Sequence, residues 1–408
     1  MRVLIVSQYF WPENFRINDL VEGLLDRGHE ITVLTGLPNY PSGRFASGYG
    51  WSGPYRERYG QAEVFRVPVV PRGKGGGAIL VINYLSFALS ASLFGVWRCR
   101  GEYDAILVYE PSPMTVGIPA RVVGRLKNAP IIFWVQDLWP ESLSATGAVT
   151  SPLILKAMEH LVRWIYRGCA RVLVQSEAFF KPVARLGVAT DRILYFPNSA
   201  EAFYQPQPAR TPWDGPELPE GFRVMFAGNI GAAQSLETIL LAADRLRQHR
   251  RIHWIVVGEG RLTSWLASEV SHRGLQDCIH LMGRFPVESM PVWFAQADVM
   301  LATLRRDPIF SLTIPAKVQS YMACAKPIVA ALDGEGARIV EAAGAGIAVP
   351  AEDSQALADA VMRLYRLPVS EREAMGRRGR DYFDRHFERN RLLDRLEGWL
   401  QELGAGRR

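Results

Sequence analysis

The run Phe226-Ala-Gly-Asn-Ile-Gly-Ala-Ala-Gln-Ser-Leu-Glu237 has the make-up of an anion site. An apolar strand, Phe222 to Ala227, enters a small-residue turn at Gly228 to Gly231. A helix is expected from about Gln234, apolar at Leu236, Ile239, Leu240 and Ala243. Glycines let a backbone approach its ligand, and the free N–H groups and dipole of a helix start attract negative charge. A phosphate or diphosphate is the natural occupant. Such a turn can equally serve only to pack helix on strand; its repetition adds weight to the ligand reading. Gly258-Glu259-Gly260 follows the run Ile255–Val257, Gly283-Arg284 follows Ile279–Met282, and Gly334-Glu335-Gly336 follows Ile328–Leu332 and opens a helix at Ala337. Together these turns would line a pocket with backbone donors, as a nucleoside diphosphate requires. Lys317 lies just after Pro315, at the start of a helix holding Tyr321 and Met322. A cation there can meet a departing diphosphate, whose charge is the main thing to stabilise when a sugar leaves a nucleotide. A solvated surface lysine is the plainer alternative.

In the first half the chemistry-bearing groups are carboxylates at strand ends. Tyr9-Phe-Trp-Pro-Glu-Asn-Phe-Arg16 links the first strand to its helix, and there Glu13 and Asn14 also suit a helix start. Glu110-Pro-Ser-Pro113 follows another strand, and Gln136-Asp137-Leu-Trp-Pro-Glu141 a third. Asp137, beside a tryptophan, is placed as a base or sugar-orienting group, with Glu13 and Glu141 as lesser candidates. No Asp-x-Asp pair occurs, so the common metal-dependent way of neutralising a diphosphate lacks its ligands. No metal and no cofactor are expected. His249 and His253 have the spacing of a metal pair, but no third ligand accompanies them.

The elements that must position these groups alternate along 408 residues, a length that predicts two domains. Apolar strand runs at Val3–Val6, Ile31–Leu34, Val64–Val67, Ala105–Tyr109, Ile131–Val135, Val172–Val174 and Ile193–Tyr195 alternate with helical periodicity. Gln205 to Pro219 is too proline-rich for either element and reads as a linker. The alternation then restarts, with strands at Val224–Ala227, Trp254–Val257, Ile279–Met282, Val299–Ala302, Ile328–Ala330 and Ile347–Val349. Continuous apolar strands between helices mean parallel sheets covered on both faces. The expected division is 1–204, a linker at 205–220, and 221–386, with a last helix in 387–408 packing back on the first domain. Ligands of such sheets bind beyond the carboxyl ends of the strands, here in a deep cleft between the two.

Composition narrows the partners. The net charge of +6 contains no block of five like charges, so nucleic acid is not an expected partner. The four cysteines lie far apart in apolar segments and read as reduced thiols of a cytoplasmic protein. Ala78 to Trp97 has no charged residue, is about long enough to span a bilayer, and is flanked by Arg72, Lys74, Arg98 and Arg100. Asn83, Ser86, Ser90 and Ser92 argue instead for a helix packed on the sheet with one apolar face dipping into a membrane.

In chain order, the segments Arg27 to Pro41, Gln136 to Pro140, Phe196-Pro-Asn198, Gly228 to Gly231 with Gln234, Ile314-Pro-Ala-Lys317 and Gly334 to Ala337 resemble the bacterial family 4 glycosyltransferases of the O-antigen and colanic-acid type. The resemblance implies an α/β GT-B fold of two doubly wound Rossmann-like domains facing a cleft. It also implies retaining transfer from a nucleotide sugar held by the C-terminal domain. The acceptor would be a saccharide on a polyprenyl diphosphate at the inner face of the cytoplasmic membrane, where the protein would be peripheral. UDP-N-acetyl-L-fucosamine or GDP-fucose is the implied donor. Gly228, Asn229, Gln234 and Lys317 would hold the phosphates. Glu335, Gly336 and Ala337 would hold the sugar or diphosphate, and Gly258, Glu259 and Arg284 would border the base. The chain departs from the wider family where an Arg and a Lys surround the first turn; Asn229 and Gln234 stand there. The wider family's paired glutamates fall at Leu312 and Ser320. Lys317 is therefore expected to carry more of the phosphate charge. A UDP-sugar 2-epimerase and a catalytically silent scaffold subunit are the alternatives.

Overall fold

The computed structural model describes residues 1–73, 76–145, 149, 151–208, 213 and 215–405. The chain divides into two units, residues 1–197 with 392–408, and residues 198–391.

The first unit holds β1 (Arg2–Val6), β2 (Glu30–Gly36), β3 (Arg56–Tyr59), β4 (Ala62–Val67), β5 (Ala105–Glu110), β6 (Ile131–Val135), β7 (Arg171–Val174) and β8 (Ile193–Tyr195). They order as β3-β4-β2-β1-β5-β6-β7-β8, parallel except for the edge hairpin β3–β4. That edge strand has no apolar run to announce it. Three of its four residues are charged, and cross-strand pairing holds it, with Arg56 2.5 Å from Glu63 and Glu57 bonded to the fully buried Arg66. One face of the sheet, through Val3, Ile5, Ile31 and Val33, packs on the helix Arg16–Asp26 and on Leu392, Leu393, Leu396 and Leu400 of the last helix. The other face carries the helices Gly77–Arg98, Gly117–Leu126 and Pro152–Arg167. Two glycines set their spacing: a Cβ at Gly95 would meet Leu34 at 2.6 Å, and one at Gly117 would meet Ile165 at 2.5 Å.

The second unit holds β9 (Phe222–Ala227), β10 (Ile252–Val257), β11 (Ile279–Gly283), β12 (Val299–Thr303), β13 (Ile328–Ala331) and β14 (Gly346–Val349). All are parallel, in the order β11-β10-β9-β12-β13-β14. This is the doubly wound 3-2-1-4-5-6 pattern, with its switch point between β9 and β12.

The unit boundary falls earlier than proline content suggests. Ala200, Tyr204 and Leu218 are buried in the second unit's core, where Tyr204 stacks on Phe294 with centroids 5.8 Å apart. The described part of 205–220 thus belongs to that unit; residues 209–212 and 214 of the expected linker lie outside the described residues. Phe387 also packs in this core, so the return to the first unit begins at Leu392 and not at 387.

Candidate functional site

Gly228, Gly258 and Gly283 end adjacent strands and are stitched edge to edge. The Gly228 N–H donates to the Val257 carbonyl at 2.9 Å, and the Gly258 N–H to the Gly283 carbonyl at 2.7 Å. Gly228 and Gly258 have φ of 140° and 138°, and a Cβ on Gly258 would lie 1.9 Å from the Gly228 carbonyl oxygen. No side chain fits between these turns. The helix after the first turn starts at Leu236, later than the periodicity indicates. A 3₁₀ turn, Ala232–Gln234, precedes it and Ser235 is left-handed at φ 46°.

Lys317 comes to this turn from the start of the helix Ala316–Ala323. Its Nζ donates to Gln234 Oε1 at 2.6 Å and sits 3.7 Å from the centroid of the Phe226 ring. A Cβ on Gly228 would be 3.6 Å from that ammonium. The lysine is partly covered rather than solvated, and the protein around its ammonium pushes the pKa down to about 7. Gln234 holds that ammonium and does not stand free at the turn. Asn229 is exposed on the turn.

The remaining expected donor contacts differ in character. Gly334, at φ 75°, leads into the helix Glu335–Ala342, and a Cβ there would strike the Ser311 carbonyl at 2.0 Å. Glu335 is buried, and both its oxygens are taken by Arg338, at 3.0 and 2.6 Å. A direct contact of its carboxylate with a sugar would have to displace that fork. Gly336 and Ala337 stay in the first turn of the helix. Glu259 and Arg284 are exposed beside Gly258 and Gly283, on the rim expected for a base. Ser320 turns its hydroxyl back to the Ala316 carbonyl, and Gln319 donates to the Asn198 carbonyl at 2.5 Å. His253 leaves no metal pair with His249: it lies on β10 and meets His280 at 3.1 Å, while His249 is exposed before the strand.

The first unit gathers its groups at the β1/β5 switch point. Glu110 ends β5 fully buried; its Oε2 lies 3.4 Å from the Asp137 N–H and its Oε1 has no partner among the described residues. Burial, then the neighbouring Asp137, holds its carboxyl well above the usual range. Asp137 accepts a hydrogen bond from Ser142, and burial raises its pKa against that bond. Glu141 starts the short helix Glu141–Ala145 and leaves a buried Oε2 without a partner among the described residues. Tyr84, from the apolar helix, and Arg72 complete the surroundings. The Arg72 guanidinium lies 5.0 Å from the Tyr40 ring and 3.4 Å from the Tyr9 hydroxyl. The sequence marks Glu110 as a carboxylate at a strand end and Arg72 as a flanking cation without giving either a site role, and it does not point to Tyr84.

Glu13 departs from its expected capping role. It caps no helix, since the helix begins after Phe15. Its Oε1 accepts the N–H groups of Asn39 and Tyr40, both at 2.7 Å, and its Oε2 that of Phe10 at 3.3 Å. Burial pushes its pKa up to about 7 against those bonds. The carboxylate ties the loop after β1 to the loop at Asn39. Glu13→Ala would orphan buried N–H groups and is expected to cost about 2–4 kcal/mol, read from the urea midpoint. Unchanged stability with lost turnover would favour the base role.

The helix Gly77–Arg98 is the one helix among the described residues long and apolar enough to cross a membrane. It lies on the sheet instead. Asn83, Ser86 and Ser90 point inward and bond the segment Pro68–Val70, while Val81, Leu85, Leu89, Leu93 and Trp97 face out. Leu126, Leu153, Ile154 and Trp164 on the two neighbouring helices are exposed as well. Of the flanking cations, Lys74 lies outside the described residues.

Two family descriptions match this chain in succession: Glycosyl transferase 4-like domain over residues 14–199, and Glycosyl transferases group 1 over residues 221–366. The chain is 24% identical over 412 aligned positions to WcaI of Escherichia coli K12, a protein assigned to colanic acid biosynthesis, covering 96% of this chain and 98% of that one. It is 30% identical to the glycosyltransferase WbjE of Pseudomonas aeruginosa, over 59% of this chain and 60% of that one. Among solved structures, Anabaena HepE in complex with UDP superposes with a TM-score of 0.70 at 15% identity, covering 98% and 100% of the two chains. Sucrose-phosphate synthase from Thermosynechococcus elongatus does so with 0.72 at 16%, covering 99% of each. With both halves matched in order and two parallel α/β units of this topology, the chain belongs to the family 4 glycosyltransferases and has their GT-B fold.

Proposed function

We propose that this glycosyltransferase moves a sugar, with retention and without a metal, from a UDP- or GDP-linked donor to a polyprenyl-diphosphate-linked saccharide in exopolysaccharide assembly. The observation that carries the reading is the Lys317 ammonium set against the Gly228 turn at the switch point of β9 and β12. The role of WcaI in colanic acid biosynthesis and the UDP bound to HepE support the pathway class and the donor class. N-acetyl-L-fucosamine or fucose is the sugar the resemblance favours. In the step, the acceptor oxygen bonds to the anomeric carbon, the bond from that carbon to the diphosphate oxygen breaks, and the acceptor proton passes to the leaving phosphate. Lys317 steadies the departing charge, and Asp137 orients the acceptor hydroxyl.

The test incubates the enzyme with UDP- and GDP-sugars, with and without a polyprenyl-diphosphate saccharide, in EDTA. Acceptor-dependent release of nucleotide, with the anomeric configuration kept, is expected. Turnover of donor alone into an epimer would favour the epimerase, and no turnover with no nucleotide binding the scaffold. The outward apolar face of Gly77–Arg98 supports a peripheral seat on the inner membrane surface. Leu89 and Trp97 are 64% and 78% exposed, so Leu89→Glu with Trp97→Glu leaves packing intact. The double variant is expected to lose at least about tenfold in binding to anionic phospholipid vesicles. Unchanged binding would move the membrane contact elsewhere.

A further inference from the structure

On the donor reading of the second unit, the glycine turn is short of cations. Asn229 and Gln234 are neutral, and Lys317 must face a diphosphate that bears at least two negative charges. The loop leaving β12, Leu304-Arg305-Arg306-Asp307, supplies more. Because β9 and β12 flank the switch point, their loops border one crevice. The loop is pinned to the turn twice: the Arg305 N–H donates to the Ala233 carbonyl at 2.9 Å, and the Thr303 hydroxyl to the Gln234 carbonyl at 2.5 Å.

The two arginines are held differently. Arg306 donates to the Ala351 carbonyl at 2.8 Å and lies 3.4 Å from Asp333. Arg305, its side chain 61% exposed like that of Arg306, has a loose ion pair with Glu352 at 3.6 Å and no other side-chain partner among the described residues. A solvated pair at that distance is worth little and is easily exchanged. A guanidinium offers a rigid fork of donors that matches two phosphate oxygens. We propose that Arg305 is a second diphosphate ligand of the donor site, leaving Glu352 for the phosphates when a nucleotide enters. It stands in for the cation that the turn itself lacks. This inference rests on the donor site proposed above.

The experiment is calorimetric titration of the full chain with UDP and GDP, and with uridine and guanosine, for wild type, Arg305→Ala, Arg305→Lys and Arg306→Ala. For the nucleotide that wild type binds, Arg305→Ala is expected to lose about 10- to 100-fold in affinity, with the matching nucleoside unaffected. Arg305→Lys should recover part of the loss, and Arg306→Ala should stay within about threefold of wild type. Equal nucleotide affinity in Arg305→Ala and wild type overturns the inference and leaves the donor site standing. Equal losses for nucleotide and nucleoside also overturn it, since they mean a disturbed pocket and not a missing phosphate contact. Wild type that binds neither nucleotide overturns the donor site and this inference together.

Discussion

Lys317→Ala is expected to lower kcat/KM by about 10²- to 10³-fold, the usual cost of removing one group that stabilises a leaving charge. The loss should fall mainly on kcat, because the charge on the diphosphate grows as the sugar departs. The lysine also sets a pH dependence. In the free enzyme its pKa is about 7, lowered by burial. A bound diphosphate favours the ammonium and raises that pKa. Above pH 7 the complex then holds more protons than the free enzyme, so nucleotide affinity falls as pH rises through 7 and beyond. Below pH 7 the lysine is charged in both forms and its share of the dependence vanishes. Nucleotide titrations from pH 6 to 9 check this; a flat profile in wild type, or one unchanged in Lys317→Met, would contradict it.

Asp137→Asn is expected to reduce kcat by about 10²-fold, as for a lost group that orients the acceptor hydroxyl for attack, with a smaller change in donor KM. The amide keeps the shape and can still meet the Ser142 hydroxyl, so folding is not at stake. Burial raises the Asp137 pKa, and burial with the neighbouring Asp137 holds the Glu110 carboxyl well above its usual range. The ionised form of Asp137 is therefore lost, as pH falls, at a higher pH than for an ordinary aspartate. The acid limb of the wild-type profile should lie above the usual Asp range and disappear in Asp137→Asn. A variant within threefold of wild type would assign acceptor activation entirely to the leaving phosphate.

The sheets are legible because their strands are buried on both faces, and continuous apolar runs such as Ile131–Val135 and Trp254–Val257 cannot be mistaken for loops. The glycine turns are legible for the same local reason: each follows such a run. β3 is not, because Arg56-Glu-Arg-Tyr59 depends on partners in β4 and not on its own pattern. The proline-rich segment misleads because composition does not register that Tyr204 and Leu218 find a core. Glu13 misleads likewise: a carboxylate beside a helix start looks like a cap until the loop at Asn39 arrives, 26 residues away in sequence, to take its oxygens. Arg305 and Arg306 carry no motif; only the strand order puts their loop beside Gly228. Lys317 stood out through Pro315 and the helix start, but its hold on Gln234 crosses 83 residues.

The most direct test of the donor site is thermal melting of the purified protein with UDP, GDP, dTDP and ADP, with and without EDTA, alongside Lys317→Ala. One nucleotide should raise the melting temperature, equally in EDTA, and the shift should vanish in the variant. No shift with any nucleotide at millimolar concentration, or a shift abolished by EDTA, would contradict a metal-free diphosphate site built on Gly228 and Lys317.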